Sequence, residues 1–316
     1  MKKIVSLLLA LAMVFALCAC SNDSGDTANE GLKIGFCASD STNPVFIKCE
    51  QWLKEQCAKD GNTLMTKYYE TDAAKFLDIC ENFITAGCDI IIAQDPDENI
   101  SADVLSRAKE AGIIVCTLDT DNEYATYVQE DQNAEAGHLL ASVAIDYINK
   151  NLGGKCKIVS YDCPQSETMK VRNEVFIEDV IKACPGSEVA CEIDVWNVNA
   201  DWVGLGETSM QAAGDAYIIV SVADVCTLGA IEAYKTAGHD STEGYAAFSF
   251  DATEAAVAEM TSENSILYTS IYMGYPDVVQ KLYTSAVNTA KTGTVTDRYC
   301  AAELVAVNAE NYESIG

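Results

Sequence analysis

The chain has 316 residues, 48 acidic against 20 basic side chains, a formal charge of -28 at pH 7, and an apolar content of 49%. A surface this acidic argues against nucleic acid and anionic lipid headgroups as partners, since both need lysine and arginine to offset phosphate. Generic solubility explains the charge equally well, so it excludes partners without naming one.

At the N-terminus Lys2 and Lys3 precede an apolar run from Ile4 to Leu17, the layout of an export signal. The run is shorter than the roughly 20 residues of a membrane span, and small polar residues from Ser21 to Thr27 follow it. Leu17-Cys18-Ala19-Cys20 resembles the lipobox of bacterial lipoproteins, with an ordinary cleaved signal beside a chance cysteine as the alternative. The resemblance implies a signal over 1–19, a lipid on Cys20 and a linker over 20–30. Cleavage removes two lysines and no acid, moving the charge from -28 to -30. The expected location is outside the cytoplasm, on the outer face of the membrane or in a periplasm, with the lipid as the sole membrane contact.

The roughly 285 residues that remain suggest two domains of about 100–150 each. From Leu32 onward, short apolar runs alternate with amphipathic stretches, the signature of a parallel sheet covered by helices. Leu32–Cys37 reads as a strand. Asn43 then stands where an N-cap belongs, with Pro44 at the first helical position, and the helix puts Phe46, Cys49, Leu53 and Cys57 on one face. Strand 63–68, helix 73–85, strand 90–93, helix 102–110, strand 113–118 and a short strand 127–129 complete a first unit. A second unit runs through helix 134–149, strand 157–161, helix 167–183, strand 189–195, helix 204–213, strand 217–222, helix 226–237, strand 246–250 and helix 253–261. Periodicity does not assign the last strand near 266–270, the helix 277–291 or the tail 299–307 to either unit.

Removing Cys18 and Cys20 from the fourteen cysteines leaves twelve. Cys80, Cys88 and Cys116 lie in apolar runs, as buried free thiols do, and Cys49 and Cys57 would stand about 12 Å apart along their helix, beyond disulfide reach. Cys184 and Cys191, flanking Pro185-Gly186, are the one pair placed for a bridge. With two histidines, His138 and His239, and no C-x-x-C, a zinc site is not expected, nor is any other metal or a cofactor.

The ordered landmarks IGFCASDSTNPVF (34–46), ITAGCDIIIAQ (84–94), AGIIVCTLDTD (111–121), QNAEAG (132–137), Arg172 to Phe176, ADW (200–202), ADVCTLGAIEAYKTAG (223–238) and SFDAT (249–253) are each weak alone. Together they resemble the periplasmic sugar-binding receptors, of which the ribose and galactose receptors are members, over essentially all of 31–316. The resemblance implies an α/β fold of two doubly wound parallel-sheet lobes with three hinge crossings, placed near Asn133, Tyr268 and Arg298. One lobe would comprise 31–132 plus 269–298, the other 133–268 plus 299–316. It implies a monomeric carrier that takes a small solute, foremost a sugar, at the carboxyl ends of the strands, closes around it, and serves the membrane permease of an ABC transporter. A receptor feeding a membrane sensor fits the same pattern.

Onto this chain the resemblance carries Asn43, as hydrogen-bonding residue or N-cap only, and Phe46, as ligand wall or core. Asp119 and Asp251 follow strands as acceptors for sugar hydroxyls or as helix caps. Arg172 is either a planar five-donor fork for ligand oxygens or a partner in a surface ion pair. Trp202 is a ligand wall or core, Asn133 and Asp224 are hinge or cleft groups, and Tyr268 stands for a glutamine near the last crossing. Val45, Thr120 and Ala223 depart from the pattern, making the pocket less polar than a ribose receptor's. Hexoses, pentoses, polyols, nucleosides and furanoses all fit.

Enzyme function has no support, since no G-x-S-x-G elbow, P-loop or histidine-based metal motif is present. Gly204-Leu205-Gly206 lacks the third glycine of a dinucleotide loop. The lactose-repressor-like regulators share the expected fold but open with a DNA-reading helix-turn-helix, where this chain opens with a signal.

Overall fold

The computed structural model describes residues 31–195, 201–213, 216–239 and 243–315. Cys20 and the leader lie outside them, as does the side chain of Trp202.

The chain alternates as expected: β1 (Lys33–Ala38), α1 (Pro44–Asp60), β2 (Thr63–Tyr68), α2 (Ala73–Thr85), β3 (Ile90–Gln94), α3 (Glu98–Glu110), β4 (Ile114–Leu118) and β5 (Tyr127–Gln129). Asn43 caps α1 by accepting the Val45 amide, and the buried face is Phe46, Cys49, Leu53 and Cys57. α3 begins one turn before Ala102 because the Asp97 side chain accepts the amides of Asn99 and Ile100, satisfying donors that a helix start leaves free.

The second series is α4 (Asn133–Asn151), β6 (Lys157–Asp162), α5 (Lys170–Ala183), β7 (Glu188–Asp194), α6 (Trp202–Ala213), β8 (Tyr217–Ser221), α7 (Asp224–Thr236), β9 (Tyr245–Phe250), α8 (Glu254–Met260) and β10 (Leu267–Tyr272). α9 (Tyr275–Thr292), β11 (Tyr299–Cys300) and β12 (Val305–Val307) close the chain.

Two six-stranded sheets result, in the orders β11-β5-β4-β3-β1-β2 and β12-β10-β9-β8-β6-β7. Every pairing is parallel except β10 with β12. The inner strands are apolar on both faces, as β3 and β8 illustrate with Ile90–Ala93 and Tyr217–Ser221 fully buried, which is what helices on both sides of a sheet demand. Gly35 in β1 lets the Phe83 ring approach, since a Cβ there would stand 2.7 Å from it.

Strand membership moves two of the expected crossings. β10 belongs to the second sheet, so the chain passes back to the first at Met273-Gly274, beyond Tyr268. β11 pairs with β5 in the first sheet, so the last crossing lies at 301–304, beyond Arg298. The first crossing leads directly into Asn133. The three crossings touch: Gln132 holds the backbone of Ala302 in both directions, at 3.2 and 2.8 Å, and a Cβ on Gly274 would come within 2.4 Å of Ala302 Cβ. All twelve described cysteines are free, Cys184 and Cys191 included, so the one bridge the spacing suggested is not formed.

Candidate functional site between the lobes

Two aspartates leave their strands in backbone conformations that L side chains rarely take. Asp119, after β4, has φ 68°, and Asp251, after β9, has φ 103° with Ala252 at 47°. Strain of this kind persists where surrounding structure holds it, and it concentrates at functional sites. Asp119 is held through both carboxylate oxygens: Oδ1 accepts the Tyr275 hydroxyl at 2.5 Å and Oδ2 accepts Gln94 Nε2 at 2.7 Å. Its amide donates to Gln129 Oε1.

From the other lobe comes Arg172, on α5 and 2% exposed. Its Nε donates to Asn133 Oδ1 at 2.6 Å and its Nη1 to the Val222 carbonyl at 2.9 Å. Nη1 stands 3.8 Å from Asp251 Oδ1, and the guanidinium lies 5.4 Å from the centre of the Phe250 ring. One cation thus joins the first crossing, the end of β8 and the end of β9.

Burial is the leading cause of every shift here. It raises the Asp119 carboxyl, while Tyr275, Gln94 and Arg172 pull it back. It raises Asp251, with Arg172 opposing and Asp119 adding across the lobes. It pushes Asp224 up to about 7, with Asp251 next. The Tyr275 hydroxyl rises well above the usual phenol range, by burial and then by Asp119. These carboxylates therefore feel one another in surroundings that hydrate them poorly.

Beside the cluster lies a cleft of about 850 Å³, within the size range of small-molecule sites. Val45 and Ile47 of α1 line it from one lobe, Asp251 and Thr253 from the other, with Met273 and Tyr275 of the second crossing. Phe46 is buried and packs edge-on against Tyr275 at 5.9 Å. Asn43 is partly buried, and its Oδ1 is committed to the cap of α1.

The structure thus gathers Asp119, Asn133, Arg172 and Asp251, with Phe46 behind them. Asp224 is adjacent but serves the scaffold. Fully buried, it accepts Thr253 N, Thr253 Oγ1 and Ser270 Oγ, tying the start of α7 to the start of α8 and to β10. Tyr268 is not brought to the cluster. Its ring packs on Tyr147 and Phe248, at 5.0 and 5.7 Å, near the start of β10 and away from the carboxyl ends. Thr120 turns from the cleft to donate to the Asp95 carbonyl. Sequence reasoning missed Gln94 and Tyr275. The polar end of an otherwise apolar β3 was the available signal for Gln94, and Tyr275 had only its place before Pro276 at the start of α9. Among the described residues no group of three or more His, Cys, Asp or Glu is arranged to hold a metal ion.

Residues 34–294 match the model of the periplasmic binding protein domain. The chain belongs to this family. Among curated proteins it is similar to a ribose import binding protein of Bacillus subtilis (strain 168), 25% identical over 301 residues that cover 91% of this chain and 93% of that one. Among solved structures it is similar to a galactofuranose binding protein, with a TM-score of 0.79 and 18% identity over 90% of this chain and 96% of that one. A solute binding protein of an ABC transporter from Bacillus halodurans C-125, with bound myo-inositol, gives 0.78 and 20% over 91% and 98%. In this periplasmic binding protein family, the two-lobed fold places the cluster where the strands of both sheets end, the position at which open α/β sheets bind ligands.

Proposed function

We propose that this protein is an extracytoplasmic binding protein, anchored by a lipid on Cys20, that captures a monosaccharide-sized polyhydroxylated solute between its lobes and delivers it to an ABC transporter. Asp119, Asn133, Arg172 and Asp251 contact the solute, Phe46 and Trp202 wall it, and Asn43 lies at its edge.

One observation carries the reading. A buried arginine and two strained strand-end aspartates, from opposite lobes, converge beside a cleft large enough for a monosaccharide, with otherwise largely apolar walls. A polyol needs acceptors and planar donors around its rim and apolar surface on its faces, and the cleft offers both. The names of the relatives, which handle ribose, galactofuranose and myo-inositol, agree with this, and none of those names is an enzyme's.

The test is thermal unfolding of residues 21–316 against pentoses, hexoses, polyols, nucleosides and amino acids. Binding adds RT ln(1 + [L]/Kd), roughly 2.7 kcal/mol at a ligand concentration 100-fold above Kd. A shift of several degrees with a sugar or polyol is expected, and Asp251→Asn should reduce it while remaining folded. A well-folded protein that responds only to amino acids or nucleosides would overturn the sugar reading.

A further inference from the structure

The charges of the cluster do not balance. Asp119, Asp224 and Asp251 lie together, and among the described residues Arg172 is the one basic side chain paired with any of them. Three carboxylates against one guanidinium leave two negative charges, or one if Asp224 holds a proton. The remaining internal segments, 196–200, 214–215 and 240–242, contain no lysine, arginine or histidine, so no cation from them can make up the difference. The cleft lining adds the exposed Lys48 against the exposed Glu254 and Glu313, which leaves the sign unchanged. Glu130 and Asp131 line the narrower opening beside Asp119.

The three carboxylates are also unequal in their partners. Asp119 accepts hydrogen bonds at both oxygens, and Asp224 accepts three. Among the described residues the Asp251 carboxylate accepts none: its nearest charged partner is Arg172 at 3.8 Å, beyond hydrogen-bond range. An ionised carboxylate out of water needs a paired charge or a donor. Asp251 lines the 850 Å³ cleft, the space a solute would occupy.

We infer that the solute carries a positive charge: it is a sugar or polyol bearing one protonated amine, with the ammonium on Asp251 and its hydroxyls on Asp119 and Arg172. The inference rests on the capture of a polyhydroxylated solute proposed above and adds its charge. A neutral sugar entering the same place would leave the excess carboxylate uncompensated, whereas an ammonium supplies both the charge and up to three donors.

The test compares matched compounds by calorimetric titration of the purified mature chain at pH 7: D-glucose, D-glucosamine and N-acetyl-D-glucosamine, and the corresponding galactose series. The free amine should bind at least tenfold tighter than its neutral and N-acetylated counterparts, and Asp251→Asn should bring the ratio close to one. If that variant does not fold, the wild-type comparison decides, because acetylation removes the charge from the ligand instead. Neutral sugars binding as tightly as the amines would overturn the charge inference and leave sugar capture standing. Absence of binding by every compound in both series would overturn it together with the monosaccharide reading on which it rests.

Discussion

Arg172→Ala is the substitution whose consequence the structure defines most sharply. The side chain is 2% exposed and its two hydrogen bonds, to Asn133 Oδ1 and to the Val222 carbonyl, link α5, the first crossing and the end of β8. Truncation leaves both acceptors in place without their charged donor and leaves Asp251 without the guanidinium at 3.8 Å. Hydrogen bonds involving a charged group contribute about 1.5–3 kcal/mol each, and removing one partner of a buried charge pair costs about 3–5 kcal/mol. Water entering the vacated space recovers part of this, so a loss of about 3–5 kcal/mol is expected for the ligand-free protein. For a chain of this size that lowers Tm by roughly 6–10 °C, read by circular dichroism or scanning calorimetry at pH 7.5. Arg107→Ala, which removes exposed pairs with Glu81 and Asp103, serves as the control and should leave Tm essentially unchanged. A fall of less than 2 °C for Arg172→Ala would refute the view that this arginine joins the lobe as well as meeting the ligand.

Gly274→Ala places a methyl on a backbone at φ 65° and within 2.4 Å of Ala302 Cβ. The left-handed conformation alone costs about 1–2 kcal/mol, so reduced stability in urea is expected, and equal stability would show that the crossings can separate freely. Stability in the absence of ligand should fall as pH rises from about 4 to 7. Burial raises the folded-state values of Asp119, Asp224 and Asp251 above those of the unfolded chain, so in that window the folded state binds more protons. Asp224, pushed up to about 7 by burial and then by Asp251, should contribute to this fall, and urea titrations at pH 5 and pH 8 check the sign. The thiols should resist alkylation in the native protein at pH 8, since burial pushes Cys37 and Cys226 up to about 12. Iodoacetamide followed by mass spectrometry should label half-buried Cys191 first and the others only on unfolding.

Elements whose amphipathic period and capping chemistry are local were legible in the sequence. α1 needed only Asn43, Pro44 and the spacing of Phe46, Cys49, Leu53 and Cys57. The strand-end positions of Asp119 and Asp251 followed equally directly from the apolar runs before them. Asp224 was legible as an important polar residue but not in its role, because its partners Thr253 and Ser270 are remote in sequence. Tyr268 illustrates the limit on β10: a strand's side chains alternate between faces, and an error of a few residues moves a side chain from the cleft end to the far end.

The alternation of strands and helices, the apolar content of the inner strands and the chemical types present at strand ends were set locally along the chain, since these depend on propensity, period and near neighbours. Tertiary structure alone decided which sheet takes β10 and β11, how Gln132, Gly274 and Ala302 bring the three crossings together, and that Tyr275 reaches Asp119 across a separation of 156 residues. It also decided the balance of charge at the site. Whether an acidic side chain is offset depends on which cations lie within a few ångströms, and here the packing brings Arg172 to Asp251 while, among the described residues, no other basic side chain forms an ion pair with the three aspartates.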